Sequence, residues 1–255
     1  MDIDEKFIWA CQDDKLDEVK YLLTSPDLKE HANIHAYNDH DYTGFRMACQ
    51  QGNLEIIKYL LTSPDLKEHA NIHADDDWGF REACEEGHLD VVKYLLASPD
   101  LKEHANIHEN NDWGFRMACE SGHLDVVKYL LTSPDLKEHA NIHAREDSGF
   151  NWACENGRLE VVKYLLTSTD LKEHADIHAN SDWGFRVACE NQKYAVINFL
   201  VVDMNYNLSM DVRKHINSLN NKEEIFNLFD KRDFERKLQS KLKVQEEKPV
   251  KRTKI

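Results

Sequence analysis

The chain has 255 residues and carries 47 Asp and Glu against 32 Lys and Arg, a formal net charge of −15. An acidic body repels phosphate backbones, which excludes nucleic acid as a partner of the main surface. No stretch approaches the roughly 18 apolar residues of a membrane helix, and the start MDIDEKFIWACQ has no signal-peptide pattern, so a cytoplasmic protein with no membrane contact is expected.

Along the chain the first regular feature is an Ala-Cys pair, at Cys11, Cys49, Cys84, Cys119, Cys154 and Cys189, spaced once by 38 residues and then by 35 each time. Such a period marks a solenoid of small units, because no single unit can bury its own apolar face. Cysteines in equivalent places stack rather than pair, so they are read as packing residues in a reducing compartment. In the unit DWGFRMACESGHLDVVKYLLTSPDLKEHANIHE the runs FRMAC and LDVVKYLL predict two short helices. Leu124, Val127, Leu130 and Leu131 form an apolar stripe at helical spacing. Gly52, Gly87, Gly122 and Gly157 stand where one helix must stop and the chain reverse.

Each second helix leads into SPDLKEHANIHA, repeated four times with at most the last letter changed, and a fifth time as STDLKEHADIHA. Ser, Pro and Asp together are a helix-start signature, so a short extra helical turn is expected, with Leu28, Leu66, Leu101, Leu136 and Leu171 turned inward. Thr169 replaces Pro in the fifth copy and weakens that start. Two histidines four apart, such as His69 and His73, have a spacing that on a helix holds zinc. No Cys, Asp or Glu holds a fixed third position near them except Glu68, which on its one-residue offset points away. The pair is therefore read as a structural ladder bonding the adjacent turn, with no metal and no cofactor. An active site needs different residues converging once, whereas here the same residues recur, so no enzyme is expected.

These motifs resemble the ankyrin repeat over roughly residues 4–202. Residues 122–131, GHLDVVKYLL, are similar to the second ankyrin helix, and HANIHA is similar to the family's GADVNA. The TPLH turn is matched in position alone, by Trp113-Gly114-Phe115-Arg116 and by Thr43-Gly44-Phe45-Arg46. Residues 37–42 match the family's finger in length, while later fingers, such as Asp75-Asp76-Asp77, are three residues shorter. On this resemblance His69 maps to a helix-ending glycine and His73 to a hairpin turn.

The resemblance implies protein recognition through the finger tips and the exposed side of the first helices, which line a concave groove. There the informative residues are those that vary between otherwise near-identical units. They are Asp75, Asp76, Asn110, Asn111, Arg145, Glu146 and Asn180 at the tips. On the first helices they are Glu85, Glu86, Glu120, Glu155, Asn156 and Glu190. Arg46, Arg81, Arg116 and Arg186 form a second ladder, broken by Asn151, each preceding a Gln or Glu by four as helical ion pairs do. Trp152 lies in the unit where Ser148 replaces a tryptophan, and is read as compensating that loss or as a binding anchor. The expected partner is a basic or mixed-charge protein, met by single copies of the chain.

After a sixth unit, MDVRKHINSL and KEEIFNLFDKRDFERKLQSKLK predict two cap helices, with Ile225, Phe226, Leu228, Phe229 and Leu238 covering the last repeat. Residues 231–255 hold 10 basic and 4 acidic residues, so this end is basic on an acidic body. The expected organisation is an all-α ankyrin-type solenoid of six units over 1–202, a helical cap over 203–243, and a disordered basic tail over 244–255. Arrays of this kind resemble those of large DNA viruses and host-associated bacteria, where they act as adaptors or host-directed effectors in a host cytoplasm or nucleus. A structural, self-assembling repeat protein is the alternative, which the helical caps oppose.

Overall fold

The computed structural model describes residues 2–40 and 42–246, which form antiparallel helix pairs joined in series. The pairs are α1 (Ile3–Gln12) with α2 (Leu16–Thr24), α3 (Gly44–Gln51) with α4 (Leu54–Thr62), and α5 (Ala74–Glu86) with α6 (Leu89–Ala97). They continue as α7 (Glu109–Ser121) with α8 (Leu124–Thr132), α9 (Ala144–Asn156) with α10 (Leu159–Thr167), and α11 (Ala179–Glu190) with α12 (Tyr194–Asn198). A π-helical turn, Phe199–Asp203, extends α12. The solenoid is all-α among the described residues, with one isolated bridge between Tyr37 and Thr43.

The inner second helices α4, α6, α8 and α10 bury the same stripe; in α8 it is Val126, Val127, Tyr129 and Leu130. The first helices interlock through an aromatic and a glycine. A Cβ on Gly114 would lie 2.8 Å from Phe80 and 3.1 Å from the Cys84 sulfur, so only glycine lets successive units approach this closely. Phe45, Phe80, Phe115, Phe150 and Phe185 are all buried in this stack, each worth about 1.5–3 kcal/mol of apolar transfer. The six cysteines lie in the same core, unpaired. Gly52, Gly87, Gly122 and Gly157 end the first helices at φ of 73° to 89°; Asp14 and Gln192 make the equivalent reversal without glycine in the outer pairs.

The SPDLKEHA segment departs from expectation. It holds a single hydrogen-bonded turn, not a helical one: the Leu66 N–H donates to the Ser63 carbonyl at 3.2 Å, and the Asp65 N–H to the Ser63 hydroxyl at 3.3 Å. The chain then closes back on the core, with the Ala70 N–H on the Leu60 carbonyl. This closure, which recurs as Ala105 on Leu95 and Ala140 on Leu130, leaves no room for further turns. Four of the five leucines do turn inward: Leu66, Leu101, Leu136 and Leu171 pack on the core, whereas Leu28, in the first copy, is not among the residues packed there.

The shortened fingers adopt a conformation that spacing alone does not reveal. Asp75, Asp76 and Asp77 all have φ between 52° and 58°, a left-handed turn leading straight into the right-handed helix. The same turn recurs at Asn110, Asn111 and Asp112, at Arg145, Glu146 and Asp147, and at Asn180, Ser181 and Asp182. At the first junction Thr43 instead caps α3 in the ordinary way, its hydroxyl accepting the Arg46 N–H.

The far end is sealed by α13 (Met210–Asn217) and α14 (Lys222–Glu246). Val212, Ile216, Ile225 and Phe229 are buried there. Tyr206 stacks on Phe185 with ring centroids 4.1 Å apart. The Asn221 amide donates to the Cys189 carbonyl at 3.0 Å, as Asn53 does to Cys11 at 2.8 Å, so the cap imitates a following unit. Leu238 does not join it. Its position on α14 lies beyond the last unit, and it stays 49 % exposed. Helix α14 runs to Glu246, past the expected boundary at 243, and the rest of the expected disordered tail, 247–255, lies outside the described residues.

Candidate functional site

The copied histidines belong to the joints between units. His69 Nε2 bonds the Ser63 carbonyl at 3.0 Å and so holds the loop shut, as His104 and His139 do in their units. His73 Nδ1 meets the Asp77 carboxylate at 2.8 Å, and His108 and His143 meet Asp112 and Asp147 at 2.9 Å. Those aspartates also accept a backbone N–H from the next unit: Asp112 from Asn141 at 3.0 Å, Asp147 from Asp176 at 3.1 Å. Burial raises the Asp77 carboxyl above its ordinary range, while its bond to His73 and the backbone at Asn106 pull it back down.

Two expectations about this ladder are corrected. A fixed acidic neighbour does exist, the Asp before each Trp-Gly-Phe or Ser-Gly-Phe, and its four-residue offset from the second histidine was the readable signal. Glu68 does not point away either: it approaches His35 of the preceding unit at 3.8 Å, as Glu103, Glu138 and Glu173 approach theirs at 3.5 to 3.7 Å. No group of three or more metal-ligating side chains gathers among the described residues.

The arginine ladder is also built differently from its spacing. None of its members pairs four residues ahead. Arg46 forms a salt bridge with Glu82 of the next unit at 2.8 Å, between the rings of Tyr42 and Trp78 at 4.0 and 3.8 Å. Arg81 donates to the Asp75 carbonyl, and Arg116 to those of Asn110 and Asn111, so these guanidiniums tie down the left-handed turns. Asn151, which breaks the ladder, makes the same kind of bond to Glu146 at 3.0 Å. Arg116 is 1 % exposed and offers no surface contact. Burial lowers its pKa, with nearby Arg145 adding to the effect.

Trp152 explains itself by comparison. Trp78 covers Arg46 of the unit before it; Ser148 stands at the equivalent place two units on and cannot. Trp152 covers Arg116 instead, at 5.0 Å, and meets Trp113 edge-on at 5.9 Å. The compensation reading accounts for this contact, and the ring stays half-buried.

What remains open on this side is acidic. Glu85, Glu120 and Glu155 occupy one position in successive units, partly buried and with no salt bridge. Burial raises the carboxyls of Glu85 and Glu120, and like charges add to it, Glu82, Glu86 and Glu120 in the first case and Glu155 in the second. A carboxyl whose pKa is raised on folding costs stability above that pKa and sheds the cost as pH falls through it. Glu190 ends the series with its carboxylate 2.9 Å from His215 Nε2, and Glu86 and Asn156 follow Glu85 and Glu155 in sequence. The tips Asp75, Asp76, Asn110, Asn111, Arg145, Glu146 and Asn180 are all exposed; Arg186 is partly buried.

At the end nearest the N-terminus, tips and first helices line one cleft. It brings Asp75, Asp76 and Arg81 together with Tyr37, His40, Tyr42, Arg46 and Trp78. Sequence reasoning missed these aromatic and basic members; the signal was the one full-length finger, which carries two tyrosines and a histidine. The cysteines offer no nucleophile: burial pushes five of the thiols well above their usual range and Cys189 up to about 12.

A family model for ankyrin repeats (three copies) matches residues 7–107, 80–181 and 115–214. The chain belongs to the ankyrin-repeat family. Ankyrin repeats are in general protein–protein interaction modules, and the family is typically non-enzymatic. Comparison with curated proteins finds no match. In this ankyrin array no described helix is long and apolar enough to cross a membrane.

Proposed function

We propose that this chain is a non-enzymatic scaffold that binds a basic or mixed-charge partner protein along the face made by its turn tips and first helices, as an adaptor or host-directed effector. The observation that carries the reading is the series Glu85, Glu120 and Glu155: three carboxylates at one position of successive units, with the Glu120 charge acting on Glu85 and the Glu155 charge on Glu120, and with no salt bridge among the described residues. The charged side chains at the joints between units, such as Asp112, Glu82 and His108, have internal partners. Carboxylates without one gain most from a cation brought by another molecule. The varied, exposed tips on either side supply the selectivity that identical units could not.

A pull-down compares the wild-type chain with a variant carrying Glu85→Lys, Glu120→Lys, Trp152→Ala and Glu155→Lys. The variant is expected to lose a basic partner that the wild type retains. That binding should weaken with added salt, and as pH falls through the raised carboxyl pKa values. Equal recovery of every partner by both proteins overturns the proposed face.

A further inference from the structure

The end of α14 carries an apolar stripe that the cap does not use. Ile225 and Phe229 face the solenoid and are buried. A helix turns by about 100° per residue, which puts Phe234 on the side opposite Ile225, with Leu238 next to it. Both are open to solvent, at 68 % and 49 %. Lys231 and Lys237 lie on either side of Phe234, exposed and without an ion pair among the described residues. Six residues of helix set the two lysines about 9 Å apart along the helix axis.

That interval has a counterpart elsewhere in the molecule. Packed helices sit about 8–10 Å apart, so side chains repeated once per unit recur at a similar spacing. Glu85, Glu120 and Glu155 are such a series, and the half-buried Trp113–Trp152 pair lies on the same helices. The geometry points to α14 of a second copy as an occupant of this face, with Lys231 and Lys237 on successive glutamates and Phe234 and Leu238 on the tryptophan edge. The charges suit it, since residues 231–255 carry 10 basic and 4 acidic residues on a chain of net −15. A chain does not serve itself, because α14 is one unbroken helix anchored by its first turns on the last unit. The contact is therefore head-to-tail, and it joins the exposed side of one solenoid to the end of another rather than stacking capped ends.

This inference rests on the groove reading above and names one partner for it. Sedimentation of the full chain over a concentration series tests it. Association is expected at low salt, weakened roughly tenfold or more by F234D/L238D or by K231E/K237E, and by high salt. Because those four positions are exposed, the variants keep the fold, which circular dichroism checks. K231E/K237E mixed with E120K/E155K should restore association between the two variants in alternation, since each variant's tail again complements the other's face while neither complements itself. A wild-type chain that stays single at every concentration, or association indifferent to all these substitutions, overturns the inference. So does binding of phosphatidylserine vesicles by the wild type and not by F234D/L238D without self-association, which assigns the stripe to a lipid surface. The groove reading fails separately, if the pull-down is unchanged by the groove substitutions.

Discussion

Between its first two helix pairs the chain spends residues 37–42 on a finger closed by the Tyr37–Thr43 bridge, and Thr43 then caps the next helix. At the four later junctions it makes the same reversal with three left-handed residues and no side-chain cap. The two solutions load different residues. A finger relies on local turn and capping bonds. The left-handed turn puts three side-chain-bearing residues where L-residues are disfavoured by about 1–2 kcal/mol each, and it persists because its surroundings hold it. At the turns of α7 and α9 an aspartate bonds a histidine four residues before it and the backbone of the next unit, and Arg116 or Asn151 clamps the turn carbonyls; at the last turn Asp182 bonds His178. Shortening the finger thus moved the determinants of local shape into contacts between units.

The sharpest way to break this comparison is Asp112→Ala. It removes the bond to His108 and strands the N–H of Asn141, so denaturant unfolding should show a loss of about 1–3 kcal/mol. Tyr42 holds the equivalent place at the first junction, and Tyr42→Phe should leave stability nearly unchanged by the same measurement. Next comes Thr43→Ala, which deletes the helix cap and should cost about 1 kcal/mol; a loss near zero would mean that the finger too is held from outside. The smallest effect has the opposite sign. Arg145→Gly relieves a residue at φ 49° and should raise stability by about 0.5–1 kcal/mol in thermal melts, less any interaction its side chain makes. A decrease would show that the left-handed turn is not strained at its first position.

Much of this architecture was legible because it is written in period. The Ala-Cys spacing, the helix-ending glycines and the inward leucines are all local patterns whose meaning does not depend on neighbours. What escaped the sequence was every bond that crosses from one unit to the next. Arg46 reaches forward 36 residues to Glu82, and Asp112 forward 29 to Asn141, distances at which residue spacing carries no geometric information. The left-handed turns were hidden for a related reason. Asn and Asp tolerate such a conformation, but Arg145 and Glu146 do not suggest it, and only the packing around them imposes it. For the candidate face, the recurrence of Glu85, Glu120 and Glu155 directly after Ala-Cys was legible, but not that they lack the internal partners other copied charges have. The burial of Arg116 was not legible either, because it follows from Trp152 having replaced a tryptophan four positions earlier in its unit.

The borrowed bond at the end of the rod has a practical corollary. Asn221 gives the sixth unit what Asn53 gives the first, so the terminus is fitted to a generic brick rather than to one individual. A gene losing a 35-residue block between two equivalent codons would encode a shorter rod with intact seams and the same lid. Length in this molecule is therefore adjustable in whole steps of one helix layer, about 8–10 Å. Each step would slide the acidic comb relative to everything beyond it, changing reach without redesigning a joint.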